Sequence, residues 1–101
     1  MSRNGASKIL LVEDTPTLAR SYIQFLRNEP YEVHHEELGH PALEHIERHR
    51  PDAILLDLKL PDMDGMDILR RVQEVDPDLP VIVITAHGSV QTAVTAMQAG
   101  A

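Results

Sequence analysis

Short strand-like runs alternate with stretches whose apolar residues recur at helical spacing, and this alternation constrains the fold more than any other feature. Three runs, which begin at Ile9, Ala53 and Val81, are continuous in Val, Ile and Leu. The run that begins at Tyr31 alternates apolar and polar residues instead, which is typical of an edge strand. The order β-α-β-α-β-α-β-α predicts an α/β fold, with a parallel sheet covered by helices on both faces.

Capping residues and helix stops predict the boundaries of the helices. Thr15 offers an N-cap hydroxyl, and Pro16 suits the first helical position because its missing N–H has no partner to lose there. Asp64 is the predicted N-cap of the third helix. The predicted helices cover residues 16–28, a segment opened by Gly39 that ends near Pro51, the segment after Asp64, and the segment from Ser89 to Gly100.

Composition excludes several classes of function. Nine Lys and Arg against sixteen Asp and Glu give a net charge of −7, which repels phosphate backbones and argues against nucleic-acid binding. The sequence contains no Cys, so it has neither a disulfide framework nor a thiolate nucleophile. No apolar run approaches the roughly 20 residues of a membrane span. We therefore expect a cytoplasmic protein, with residues 1–7 as a flexible N-terminal tail and residues 8–101 as one domain.

Polar residues follow three of the predicted buried strands. Glu13 and Asp14 end the first run, Asp57 ends the third and Thr85 ends the fourth. Ligands of open α/β sheets bind outside the carboxyl ends of the strands, where such groups converge. Clustered carboxylates repel one another, and a hard divalent cation relieves that repulsion. The sequence predicts a Mg²⁺-supported phosphoryl site, with one carboxylate as nucleophile and Thr85 as a hydroxyl donor.

Each residue of this set has a plainer interpretation when it is taken alone. Glu13 and Asp14 are equally well explained as caps of the next helix, and Thr85 as an ordinary β-branched strand residue. Asp57 is harder to explain in this way, because a carboxylate within an apolar strand must be paired, neutral or bound to metal. The combination of residues therefore carries the prediction, and no single member does.

Three stretches identify a family resemblance: KILLVEDTP, PDAILLDLKLPDMDGMDILRR and LPVIVITAHGSVQTAVTAMQAGA. Over residues 8–101 the chain resembles the receiver domain of bacterial two-component response regulators. Its TAHGS and LPDMDGMDILRR segments are most similar to receivers of sigma-54-dependent, NtrC-type transcriptional activators. The resemblance implies a flavodoxin-like, doubly wound parallel sheet with the strand order 2-1-3-4-5.

The resemblance also implies metal and phosphate ligands, residue by residue. Asp57 corresponds to the family's phosphoacceptor aspartate. Asp14 corresponds to a direct Mg²⁺ ligand and Glu13 to an acidic residue that acts through water. Lys59 would supply a metal-coordinating backbone carbonyl, which completes the implied metal set of Glu13, Asp14, Asp57 and Lys59.

The implied mechanism is phosphoryl transfer followed by a conformational switch. A phosphohistidine of a sensor histidine kinase or phosphotransfer protein, or a small phosphodonor, would phosphorylate Asp57. Thr85 corresponds to the switch hydroxyl, Ala86 leaves the phosphate accessible, and His87 lies at the rim, where it tunes phosphoryl lifetime. The implied partner within the full-length protein is an output domain, and a dimer is compatible with the family. Beyond self-phosphorylation and autodephosphorylation, no enzyme activity is implied.

One departure from the family pattern concerns the end of the sequence. Receivers continue into a fifth strand, which begins with a lysine, and a fifth helix, whereas this sequence stops at Ala101. We interpret it as a trimmed piece of a longer protein rather than a truncated module. In the 101-residue chain we expect Mg²⁺ binding to survive, but not rapid phosphorylation or switching.

Two rival functions and one further pattern remain. A haloacid-dehalogenase-like phosphohydrolase also carries a nucleophilic Asp after a strand, but Lys59 stands where that class needs a second acid. A receiver-like interaction module that is not phosphorylated is the other rival.

His45 and His49 lie one helical turn apart, and we interpret them as a solvated helix face, with adventitious nickel or zinc binding as the alternative.

Overall fold

The chain alternates strands and helices, as the sequence predicts. The computed structural model describes residues 7–27 and 29–84. The predicted fourth helix and residues 1–6 of the predicted tail lie outside the described residues, while Ser7 already belongs to the first strand. The described elements are β1 (Ser7–Val12), α1 (Pro16–Leu26), β2 (Tyr31–Glu36), α2 (Gly39–His49), β3 (Ala53–Asp57), α3 (Gly65–Val75) and β4 (Val81–Ile84).

All described strand pairs are parallel, in the order β2-β1-β3-β4. This order confirms the predicted arrangement for these four strands, and β2 lies at an edge as its alternating sequence predicted. The β1-α1-β2 and β3-α3-β4 connections join adjacent parallel strands, whereas β2-α2-β3 passes over β1, and each connection places a helix on one face of the sheet. The carboxyl ends of β1 and β3 consequently meet at the middle of one sheet edge, where ligands of such sheets bind.

The main hydrophobic core lies between the sheet and the helices α2 and α3. Alternate residues of β1 and β3 point into it, and α3 contributes Ile68, Leu69 and Val72, which the sequence predicted to face inward. The neighbouring residue Leu11 is fully buried on the opposite face, where Ala19 of α1 is buried as well. Helices therefore cover both faces, which confirms the doubly wound prediction. Within the described residues no helix has the length and apolarity of a membrane span.

The continuous Val and Ile run of the fourth strand predicts a strand that is buried on both faces, and the structure differs from this prediction. Val81 is buried, but the side chain of Ile82 is 54% exposed. Ile82 pairs with Leu55, so it points to the α1 face of the sheet. Among the described helices, α1 packs on this face, and it contacts β2 at the other end of the sheet from β4.

The predicted starts of the three described helices are correct, but one predicted cap is wrong. α1 begins at Pro16 and ends at Leu26, two residues before the predicted end. Thr15 occupies the N-cap position, yet its side chain makes no capping hydrogen bond. Asp64 does cap α3, because its carboxylate accepts a hydrogen bond from the Met66 N–H at 2.9 Å.

Candidate functional site

Three acidic side chains converge where β1 and β3 end. Val12 pairs with Leu56, so the residues that follow each strand leave the sheet side by side. One carboxylate oxygen each from Glu13, Asp14 and Asp57 lies within 4.8 Å of the others. The parallel register therefore brings together acidic residues that lie more than forty positions apart in the sequence.

Two of these carboxylates are buried, which is unusual for acidic residues. Glu13 is 2% exposed and Asp57 is 6% exposed, and they are the buried charged side chains among the described residues. Each accepts a backbone hydrogen bond: Glu13 from the Thr15 N–H at 3.2 Å, and Asp57 from the Lys59 N–H at 3.1 Å. These bonds orient both carboxylates, and a side-chain hydrogen bond joins Glu13 to Asp57.

The electrostatics of the cluster favour a bound cation. Burial, together with the neighbouring carboxylates of Asp57 and Asp14, raises the pKa of Glu13 from 4.5 to about 7, against a lowering effect of the Thr15 N–H. Glu13 therefore retains part of a proton near neutral pH, where an isolated Glu would have released it. A divalent cation in this position would replace the proton, because it neutralises the same charges.

A cavity opens directly beside the cluster. It has a volume of about 330 Å³. Its wall is formed by Asp14, Thr15, Leu18, Asp57, Lys59, Leu60 and Pro61. Two of the three clustered carboxylates face this space, so a ligand that enters it meets acidic oxygen atoms at its floor.

The loop after Asp57 is held in place by backbone contacts. The Gly65 N–H donates to the Leu58 carbonyl at 2.9 Å, and Lys59 pairs with Asp64 in an isolated antiparallel bridge. A Cβ on Gly65 would lie 2.6 Å from the Leu58 Cα and 2.7 Å from the Asp57 carbonyl oxygen. Only glycine permits this close approach, which folds the loop back against the end of β3.

The donor set meets the requirements of Mg²⁺. All three clustered side chains offer carboxylate oxygens, and neither His nor Cys belongs to the group. Hard cations such as Mg²⁺ prefer such oxygens and retain several waters, which the adjoining cavity has room for. Lys59 lines the same cavity, and its N–H lies 3.1 Å from Oδ1 of Asp57, while the metal-binding role that the resemblance implies for its carbonyl stays a prediction.

Thr85, Ala86 and His87, for which a switch hydroxyl, phosphate access and a rim position were predicted, lie outside the described residues. The other predicted residues of the site are described, and the structure brings Glu13, Asp14, Asp57 and Lys59 to one end of the sheet.

Sequence reasoning missed a histidine that supports the site. The ring Nε2 of His35 lies 2.7 Å from the Glu13 carbonyl oxygen. A carbonyl can only accept, so this nitrogen carries the proton and donates it. The bond ties β2 to the chain that enters the acidic cluster. The only signal in the sequence was the position of His35 near the end of the predicted edge strand.

Comparisons with known proteins agree on one family. The family described as "Response regulator receiver domain" matches residues 9–101. The regulatory protein LuxO of Vibrio cholerae is 48% identical over 91 residues, which are 90% of this chain and 20% of LuxO. This chain thus spans about a fifth of the length of that relative.

Solved structures show the same fold. The signal receiver domain of a putative LuxO repressor protein from Vibrio parahaemolyticus superposes with a TM-score of 0.90 and 48% identity, covering 95% of this chain and 74% of that chain. A response regulator from Burkholderia pseudomallei, described with a phosphorylated aspartic acid, a calcium ion and citrate, gives a TM-score of 0.85 and 25% identity over 94% of this chain and 56% of that one.

Proposed function

This chain belongs to the response regulator receiver domain family, and from that premise we propose that it accepts a phosphoryl group on Asp57 with the help of Mg²⁺. The observation that carries the proposal is the convergence of Glu13, Asp14 and Asp57 beside an open cavity. The relative from Burkholderia pseudomallei supports it, since its description names both a phosphorylated aspartic acid and a divalent cation.

In the proposed reaction Asp57 acts as the nucleophile. A carboxylate oxygen of Asp57 attacks the phosphorus of a phosphohistidine, and an acyl phosphate bond forms. The phosphorus–nitrogen bond of the donor breaks, and its electron pair returns to the imidazole of the donor. The Lys59 N–H, which binds Oδ1 of Asp57 at 3.1 Å, holds the carboxylate in a fixed orientation during the attack.

Glu13 and Asp14 would hold the cation, together with Asp57 and the Lys59 carbonyl. A bound Mg²⁺ supplies positive charge that offsets the phosphoryl oxygens and the carboxylates. Glu13 is anchored on both sides, by the Thr15 N–H at its carboxylate and by His35 at its carbonyl. Glu13 would act through water, as the family resemblance implies, and its buried carboxylate does not line the cavity.

The wider role follows from the family. We propose that a sensor histidine kinase or phosphotransfer protein supplies the phosphoryl group in the cytoplasm. An output domain of the full-length protein, transcriptional by analogy with LuxO, would read the state of Asp57. The residues that would respond to the phosphate, as the switch and rim residues, are Thr85, Ala86 and His87. The domain itself turns over no external substrate beyond its own phosphorylation and dephosphorylation.

The test is an endpoint phosphorylation experiment. The purified chain is incubated with Mg²⁺ and acetyl phosphate or phosphoramidate, and intact mass spectrometry measures the gain of one phosphoryl group. The sequence contains two lysines, Lys8 and Lys59, and neither corresponds to the lysine of the family's fifth strand. Because we do not expect rapid phosphorylation without that lysine, the readout is the final extent of phosphorylation and not its rate. We expect labelling that hydroxylamine removes, as it does from acyl phosphates.

Two Asp→Asn variants form the matched comparison. Asp57→Asn removes the proposed nucleophile, whereas Asp67→Asn changes an exposed Asp on α3 whose carboxylate binds only Arg70. We expect labelling to vanish in the first variant and to persist in the second. Labelling that persists in Asp57→Asn, or a wild-type chain that binds no Mg²⁺, would overturn the proposal.

A further inference from the structure

A second cluster of possible metal ligands lies on the edge strand β2 and the helix that follows it. Among the described residues, one ligand atom each from His34, Glu36 and His45 lies within 4.8 Å of the others. None of the three residues belongs to the acidic cluster at the ends of β1 and β3. The proposed phosphoacceptor function does not use them, so the inference below is independent of it.

The strand contributes two of these side chains from one face. His34 pairs with Leu10, and Glu36 pairs with Val12. Paired residues of parallel neighbours point to the same side, and Leu10 and Val12 belong to the core beneath α2 and α3. His34 and Glu36 therefore lie on the side of the sheet that α2 covers.

The helix contributes the third side chain. Ala42 and Ile46 bury one face of α2 in the core, and His45, next to Ile46, lies at the border of that face. The ring of His45 stacks on the ring of His34, with centroids 3.9 Å apart and an angle of 9° between the planes. Packing of the helix therefore holds two imidazoles together across the junction between α2 and β2.

Glu36 supplies the negative charge of the cluster. Its Oε2 lies 2.6 Å from the Nε2 of His34. Around a tetrahedral zinc ion with bonds of about 2.0–2.1 Å, two ligand atoms lie about 3.3 Å apart. With loss of the shared proton, a side-chain rotation would open this pair to that distance and would turn the His34 ring out of its parallel stack with His45, so that the nitrogen lone pairs of the two rings can converge on one ion. Both side chains are partly accessible, so such a rotation does not disturb the core.

Space for an ion is also present. A cavity of about 220 Å³ adjoins the cluster, and the rings of His34 and His45 line it together with His49. Lys8 and Glu32 line the same cavity, and their opposite charges offset each other. His49 contacts His45 at a ring distance of 4.8 Å, but it is not part of the set of converging ligand atoms.

We propose that His34, Glu36 and His45 form a binding site for a borderline divalent transition metal such as Zn²⁺ or Ni²⁺. Two imidazoles and one carboxylate suit such ions, with water in the remaining position, and they do not suit Mg²⁺. This assignment changes the ligand pair suggested by the sequence alone. The partner of His45 is His34 on the neighbouring strand, whereas His49 lies outside the ligand set.

The experiment titrates the chain with Zn²⁺, and separately with Co²⁺ as a visible probe, in excess Mg²⁺ to occupy the acidic cluster. We expect one equivalent of Zn²⁺ to bind, to displace Co²⁺ and to raise the midpoint of thermal unfolding. His34→Gln, Glu36→Gln and His45→Gln should each weaken binding by at least about 10-fold. Their metal-free unfolding midpoints are recorded as well, so that a folding defect is distinguished from the loss of a ligand.

His40→Gln and Asp57→Asn are the controls. His40 is an exposed histidine of the same helix outside the cluster, and its replacement should leave Zn²⁺ affinity unchanged. Asp57→Asn removes a ligand of the acidic cluster, so failure of the phosphoacceptor proposal and failure of this one give different results. Zn²⁺ binding that is absent, that survives His45→Gln, or that is lost in Asp57→Asn would overturn the proposed site.

Discussion

The two clusters of possible metal ligands are built in different ways. At the ends of β1 and β3, acidic side chains follow neighbouring central strands, and two of them are buried. On β2 and α2, imidazoles and one carboxylate come from an edge strand and a helix, and all three are partly accessible. The backbone of the sheet sets the first geometry, whereas packing of one helix sets the second.

This difference in construction determines which kind of change, in the backbone or in a side chain, disturbs each cluster. Glu13 and Asp57 are each bound to a backbone N–H, so their carboxylates hold one orientation with or without a cation. His34 and Glu36 are bound mainly to each other, and the side chains can rotate when an ion enters. We therefore expect the acidic cluster to be sensitive to backbone changes and the histidine cluster to side-chain changes.

The largest expected effect follows replacement of the glycine behind the acidic cluster. In Gly65→Ala the new Cβ would lie within 3.0 Å of backbone atoms of Asp57 and Leu58, which cannot move without displacing the end of β3. We expect the free energy of unfolding to fall by more than about 3 kcal/mol. Chemical denaturation monitored by circular dichroism measures this change.

Gly39→Ala is the matched change at the start of the helix that carries His45. Its Cβ would overlap Cγ of the Met63 side chain and lie 2.6 Å from its Sδ. Because a flexible methionine can rotate away, we expect a smaller loss of stability than for Gly65→Ala. An equal or larger loss would contradict the view that the acidic end is the more rigid of the two.

The next effect is a dependence of stability on pH that has opposite signs in the two clusters. The folded chain holds the Glu13 proton up to a pKa of about 7, while the unfolded chain releases it near 4.5. As pH rises through this window the native state binds more protons than the unfolded state, so stability falls. Without metal we expect a loss of roughly 2 to 3 kcal/mol, and Mg²⁺ should reverse most of it.

In the histidine cluster the sign is reversed. Burial and the neighbouring imidazoles of His34 and His49 lower the pKa of His45 from 6.5. Its stabilising contribution is therefore complete above pH 6.5 and is lost as pH falls below it. Denaturation measured across pH separates the two effects. The test variant is Glu13→Gln, and the control is Glu44→Gln, which changes an exposed residue of α2. Only Glu13→Gln should remove the loss of stability at high pH. Equal pH profiles of stability for the two variants would contradict the assignment of this loss to Glu13.

Much of the fold and of the acidic cluster could be predicted from the sequence. The alternation of strands and helices implies a parallel sheet, and residues that end neighbouring parallel strands must meet. Glu13, Asp14 and Asp57 were found in this way, because their position depends on the course of the backbone. Pro16 and Asp64 also marked helix starts correctly, since their effects are local.

The histidine cluster could not be predicted in the same way. The alternation of β2 puts His34 and Glu36 on one face, and helical spacing puts His45 beside His49. Which of these rings meet depends on how α2 rotates and slides over the sheet, and the core residues Ala42 and Ile46 decide this only after folding. The bond from His35 to Glu13 likewise depends on the register between strands.

The smallest predicted effect concerns Asp62, which joins the loop after the acidic cluster to the helix of the histidine cluster. Its carboxylate accepts hydrogen bonds from the N–H groups of Gly39 at 2.7 Å and His40 at 2.8 Å. Leu38, at the N-cap position of α2, provides no side-chain cap, so Asp62 performs that role from a distant loop. Asp62→Ala should lower the free energy of unfolding by about 1 kcal/mol, as loss of a helix cap does.

The pH dependence of this cap provides the decisive control. Although burial raises the pKa of Asp62, the backbone N–H groups of His40 and Gly39 together bring it below 3.8, so the cap stabilises the fold above that pH and weakens in stronger acid. Amide hydrogen exchange of Gly39 and His40 should accelerate in Asp62→Ala and less in Asp62→Asn, which keeps one acceptor.

Because the cap positions α2 and not the strand ends, Zn²⁺ affinity should fall while Mg²⁺ affinity is unchanged. A variant that weakens Mg²⁺ alone would show that the loop serves the acidic cluster instead.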